Sequence, residues 1–150
     1  MARLYYVEDK DVLKRESGLP WMQFPDFGGK KGIPSFVLAI TPEKAEELAE
    51  AGFNVKHYVN RDKDYEIDEI NIKMRYDNYP PKIYKYLDGT RNRVKLDEET
   101  LGDLQNDLIT KIECSLSLSS KGACYMDKGY FHIEQNPLSH YEMDDYEDEE

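Results

Sequence analysis

What this chain of 150 residues lacks narrows its chemistry before anything else does. It has two cysteines, Cys114 and Cys124, too few for a disulfide framework and not by themselves a zinc site. Its three histidines, His57, His132 and His140, lie far apart, and none stands at metal-ligand spacing from a cysteine. There is no Gly-x-x-x-x-Gly-Lys-Ser/Thr phosphate loop, no His-Glu-x-x-His and no Gly-x-Ser-x-Gly. No stretch approaches the ~18 apolar residues of a membrane span, and mean hydropathy is −0.80. The N-terminus MARLYYVEDKDVLKRE has no apolar signal-peptide core. The expectation is a cytoplasmic protein of one domain that is not an enzyme, with no cofactor, no metal and no membrane contact.

What is present is charge, unevenly placed, and tyrosine. Net charge is −11, and 12 of the residues are Tyr. The last nine residues, Glu142 to Glu150, hold seven carboxylates and no base; taking them from −11 leaves −4 on the other 141 residues. Between Ile70 and Lys95 the bases Lys73, Arg75, Lys82, Lys85, Arg91, Arg93 and Lys95 face only Asp77 and Asp88. Tyr76, Tyr79, Tyr84 and Tyr86 are interleaved with them. Local charge of this kind guides a partner more than the total does.

The pattern predicts a mainly β protein of about six strands. Residues 1–34, dense in Pro and Gly, read as an irregular segment pinned to the domain by Trp21, Phe24 and Phe27. Phe36 to Ile40 is an apolar strand; Thr41, Pro42 and Gly52 are the N-cap, first-turn and C-terminal signals of a helix near 42–51. Asn54 to Val59 reads as a strand, and Glu69 to Tyr76 alternates as a half-buried strand with a basic open face. Lys82 to Leu87 and Arg93 to Leu96 form a hairpin about Asp88-Gly89. Asp97 can cap a short helix or turn near 97–106, Ile112 to Leu118 is a strand, and Ala123 to Glu134 returns extended with a break at Asp127 to Gly129. A domain at 35–136 is followed by a disordered acidic tail at 137–150. Strands at this spacing suggest a small barrel or sandwich.

Single-stranded nucleic acid needs cations along its phosphates and rings under its bases, and the middle of the chain has both. Lys73, Arg75, Lys82, Lys85, Arg91 and Arg93 are the phosphate candidates; Tyr76, Tyr79 and Tyr84 are the stacking candidates. The competing reading makes them an ordinary solvated sheet, with Tyr76, Tyr84 and Tyr86 in the core. Phe27-Gly28-Gly29 with Lys30-Lys31-Gly32 has the composition of an anion-binding loop but no strand–loop–helix context. The tail residues Glu142, Asp144, Asp145, Tyr146, Glu147, Asp148, Glu149 and Glu150 could hold a basic partner, compete with nucleic acid for the cations, or serve only solubility.

Met74-Arg-Tyr-Asp-Asn-Tyr-Pro-Pro-Lys-Ile83, then Leu96-Asp-Glu-Glu-Thr-Leu101, resembles a segment of bacteriophage single-stranded-DNA-binding proteins. Phe24-Pro-Asp-Phe-Gly28, Ala45 to Lys56, and Gly122 to Ile133 are similar to further elements of that family, in order over residues 24 to 135. The family's Thr-Ser-Arg-Gly turn is replaced by Tyr86-Leu-Asp-Gly-Thr-Arg91, and its Trp-bearing segment by Ile112-Glu-Cys-Ser-Leu116. The resemblance implies an OB-like antiparallel barrel of five to six strands that coats single-stranded DNA in phage replication or recombination, inside the host bacterium. By matching position it points to Arg75, Tyr76, Tyr79, Lys82 and Phe27, and it leaves open a homo-oligomer and a replication or recombination protein as the tail's partner. Two other functions fit the composition: an acidic mimic of DNA that blocks a host nuclease or defence complex, and a replisome adaptor that uses the domain for protein contacts only.

Overall fold

A computed structural model describes residues 3–62, 64–77, 80–87 and 92–134. The protein is mainly β, with nine strands in one open, mixed sheet. The strands are β1 (Tyr5–Val7), β2 (Met22–Asp26), β3 (Ser35–Ile40), β4 (Val55–Asn60), β5 (Tyr65–Lys73), β6 (Lys82–Leu87), β7 (Arg93–Leu96), β8 (Leu108–Leu118) and β9 (Cys124–Glu134). Among the described residues the one α-helix, α1 (Pro42–Ala51), follows β3, and 3-10 helices span Asp9–Asp11 and Leu101–Asn106.

The helix forms where its end signals stand. Thr41 Oγ1 accepts from Lys44 N at 3.3 Å, and Gly52 takes the left-handed conformation at φ 113° that a side chain would resist. Asp97 does not cap the second helix directly. Its carboxylate accepts from Glu99 N and Thr100 N and so shapes the turn before Leu101.

Alternation sorts the long strands into two faces. Ile70, Ile72 and Met74 point into the core, while Asn71 and Lys73 point out. Phe27, Phe36 and Phe131 meet at the centre with centroids 5.7–5.8 Å apart, and Leu48, Leu101 and Leu104 close over that face. On β9 the pairs Ser115↔Lys128 and Leu116↔Met126 leave Asp127 unopposed, a bulge that resets the alternation. Gly129 follows because a Cβ there would run into the Met126 sulfur.

Three expectations change. The strands number nine, partly because the supposedly irregular N-terminus supplies β1, on β8, and β2, on β3. Backbone pairing, invisible to composition, absorbs the Pro- and Gly-rich stretch. The sheet is mixed rather than antiparallel, since β9 runs parallel to both the end of β5 and all of β6. The pairings describe an open sheet, although Val12 bridges to Ile40 and carries the chain from β1's side of the sheet to β3. The Asp88-Gly89 turn and the tail lie outside the described residues.

On the strand pair β4–β5, His57 sits between Asp68, 2.9 Å from Nδ1, and Glu66, 3.3 Å from Nε2. The hydrogen bond to Asp68 raises the imidazole above its ordinary 6.5. Its contribution to folding is therefore full below the unfolded value and lost as pH rises through the higher folded one. In an NMR titration His57 is expected to titrate above 6.5, and Asp68→Asn to bring it down. Phe36→Ala, at the centre of the ring cluster, is expected to cost about 3–5 kcal/mol in urea unfolding.

Candidate nucleic-acid interface

The outward positions of β7, β6, β9 and β8 form a lattice fixed by strand register. One row runs Lys95, Tyr84, Tyr130, Glu113; the next runs Arg93, Tyr86, His132, Lys111; a third joins Lys82, Lys128 and Ser115. Inward positions of the same strands include Ile83, Leu96, Phe131, Ile133 and Ile112, each 3% exposed or less. Burial of those five side chains therefore determines which way the tyrosines face.

The rings touch one another. Tyr84 and Tyr130 stack at 5.7 Å and 18°, Tyr86 and His132 at 5.2 Å and 14°, and Tyr86 meets Tyr130 at 5.6 Å. Cations lie on them: the Arg93 guanidinium is 4.8 Å from the Tyr84 centroid and Lys128 Nζ is 5.3 Å from that of Tyr130. Arg93 also hydrogen-bonds Tyr86, and Lys128 hydrogen-bonds Tyr130, which holds both cations above their usual range. Lys82 and Lys95 are exposed. The carboxylates on this face are Glu113, which pairs with Lys111 at 3.6 Å, Asp127, which accepts from Ser115, and Glu134. The result is a platform of half-exposed rings with cations on its rings and at its margin. Such a surface stacks flat bases and neutralises phosphates. No group of three or more His, Cys, Asp and Glu that could hold a metal occurs among the described residues.

The residues expected from the sequence divide. Lys82, Tyr84 and Arg93 lie on the platform. Lys73 and Arg75 lie farther along the outer face, beside the start of β9: Lys73 is opposite Tyr125, and Arg75 hydrogen-bonds Tyr125. Arg75 is also held by Asp77 through Nε at 2.9 Å and a 2.9 Å ion pair, so its charge is partly met. Tyr79, Arg91 and the tail residues are outside the described residues.

Three placements are corrections. Phe27 is 2% exposed and belongs to the phenylalanine centre, where it offers no face to a ligand. Lys85 alternates onto the inner side of β6 and pairs with Asp107 at 3.4 Å. Tyr76 packs against the core with its hydroxyl buried and unpartnered, and burial pushes that hydroxyl up to about 12. The glycine loop after Phe27 is no anion cradle either: Asp26 accepts the Lys30 and Lys31 amides at 2.9 and 3.1 Å, and those bonds lower its own pKa.

Lys128, Tyr130 and His132 are not among the sequence candidates, yet the register brings them onto the platform. Their alternation along β9 was visible in the sequence, but their adjacency to Tyr84 and Tyr86 depends on a parallel pairing that no local pattern announces. Comparisons with family models, with curated proteins and with solved structures found no match to this chain.

Tyr76→Phe removes an unsatisfied buried hydroxyl. It is expected to raise stability by about 1 kcal/mol in urea unfolding and to leave the platform's properties unchanged.

Proposed function

We propose that this chain binds single-stranded DNA without regard to sequence, on the outer face of β6, β7 and β9. The observation that carries the reading is the lattice of Tyr84, Tyr86, Tyr130 and His132 with Arg93 and Lys128 lying on its rings. Unpaired bases stack on such rings whatever their identity, because every base has a flat face. Arg93 and Lys128 are long enough to leave the ring faces for phosphates as bases take their place, while Lys82 and Lys95 already stand in solvent. A duplex, with its bases already stacked inside, gains nothing from the rings. The choice of DNA over RNA, and a role in phage replication or recombination, come from the sequence resemblance alone. The acidic C-terminal residues then serve to recruit a basic partner or to compete with DNA for the cations.

An acidic decoy of DNA would need an excess of carboxylates on the face that meets its target. Here Lys82, Lys95, Lys111, Lys128 and Arg93 outnumber Glu113, Asp127 and Glu134 on that face, which favours DNA as the ligand over mimicry of it.

Titration of the full chain with oligo-thymidylate, followed by tyrosine and Trp21 fluorescence, tests the proposal. If Lys82, Lys95, Lys128 and Arg93 each meet a phosphate, log affinity falls with log salt at a slope of about −3. Tyr130→Ala is expected to weaken binding by about 1–3 kcal/mol, the worth of one stacked base. Absence of binding at low salt, or an unchanged affinity in Tyr130→Ala, contradicts it.

A further inference from the structure

Away from the platform, Phe24 is 81% exposed and sits at φ 49°, a left-handed conformation that phenylalanine avoids and that the following proline makes less favourable still. A large apolar ring standing in water on a strained backbone persists only where its surroundings enforce it. Those surroundings are on both sides. Gln105, from the 3-10 helix, accepts from Phe27 N at 3.3 Å and reaches Pro25 O at 3.5 Å. Phe27 is locked into the central ring cluster, and Asp26 gathers the Lys30 and Lys31 amides. Phe24 and Pro25 form the irregularity in β2 between the pairs Gln23↔Val37 and Asp26↔Ser35. The loop is thus rigid and aims its ring outward.

Phe24 opens onto a groove of about 740 Å³ whose walls include Lys30, Lys31, Lys73 and Asn71. Asp26 also lines it, with both carboxylate oxygens engaged by the loop amides. Val37, Asn71 and Lys73 continue into a second groove of about 250 Å³ that reaches Ala123 and Cys124 at the start of β9. From there Tyr125 leads along β9 to Tyr130, roughly 16 Å at ~3.3 Å per residue.

We propose that Phe24 is a second base-stacking anchor, and that Lys30, Lys31 and Lys73 carry the same DNA strand from it to the platform of β6 and β9. The inference rests on the reading of the platform as a single-strand site, and it extends that site to the β2–β3 side of the sheet. Three things support this occupant: the ring is pre-positioned, as stacking without an ordering cost requires; the groove is lined by three lysines; and it shares Val37, Asn71 and Lys73 with the neighbouring groove that reaches Cys124 on β9.

The test uses the full chain and an oligo-thymidylate of about 16 nucleotides, long enough to span both regions. Phe24→Ala and the double substitution Lys30→Ala, Lys31→Ala are each expected to weaken binding about five- to a hundred-fold, and Phe24→Trp to restore it. Because Phe24 is in solvent, the urea midpoint of Phe24→Ala should not fall. Ultraviolet crosslinking should also join thymine to the peptide bearing Phe24. If Tyr130→Ala weakens binding while Phe24→Ala leaves it unchanged and no crosslink forms at Phe24, the anchor is wrong and the platform stands. If the unaltered chain binds no oligonucleotide, both fall.

Discussion

The parallel register of β6 on β9 is the constraint on which the rest of the structure depends. Nothing local joins Lys82–Leu87 to Cys124–Glu134, yet residues 82–87 pair one for one with 128–133. The force that fixes the register is the burial of Ile83, Phe131 and Ile133 against the Phe27–Phe36 centre. A slip of β6 by one residue would bring Tyr84 toward the core and push Ile83 into water, at about 1.5–3 kcal/mol. The core thus selects the outer face, and the rings that meet there follow from packing on the other side of the sheet.

Charge obeys the same logic. A total of −11 argues against a polyanion as partner until its placement is considered. On the described sheet, alternation sends Lys82, Lys95, Lys128 and Arg93 to the face that bears the rings. Where alternation points inward, a cation is met by a carboxylate, as Lys85 is by Asp107. Ion pairs at the periphery, such as Arg75 with Asp77, are exposed and add little to stability, but they lower the free charge available to a phosphate.

Much of this was legible from residues alone, and the limits have physical causes. α1 was readable to the residue because its N-cap, first-turn proline and terminal glycine act within a few positions of the backbone they stabilise. An unbroken apolar run marked β3, a hairpin signal marked β6 and β7, and alternation marked the basic face of β5, all of them local patterns. Lys85 reads as a surface cation because residue type does not report which side of a pleat a side chain occupies; Tyr76 follows the apolar face of its strand, one of the two readings its alternation left open; and Phe27, named by the resemblance alone, lies in the core. Tyr130 and His132 were passed over because their importance arises from strands about 40 residues away in sequence. β2 was hidden by proline and glycine, which mark turns but do not forbid edge strands, and β1 is a three-residue strand fixed by its distant partner β8.

The most direct measurement of the central claim is a map of the residues that sense DNA: NMR chemical shifts of the full chain with and without oligo-thymidylate at low salt. The account expects the largest changes at Tyr84, Tyr86, Tyr130, His132 and the Arg93 side chain, with His57 and Tyr58 on β4 unmoved. Changes centred on β4, or none on the outer face of β6 and β9, would contradict it.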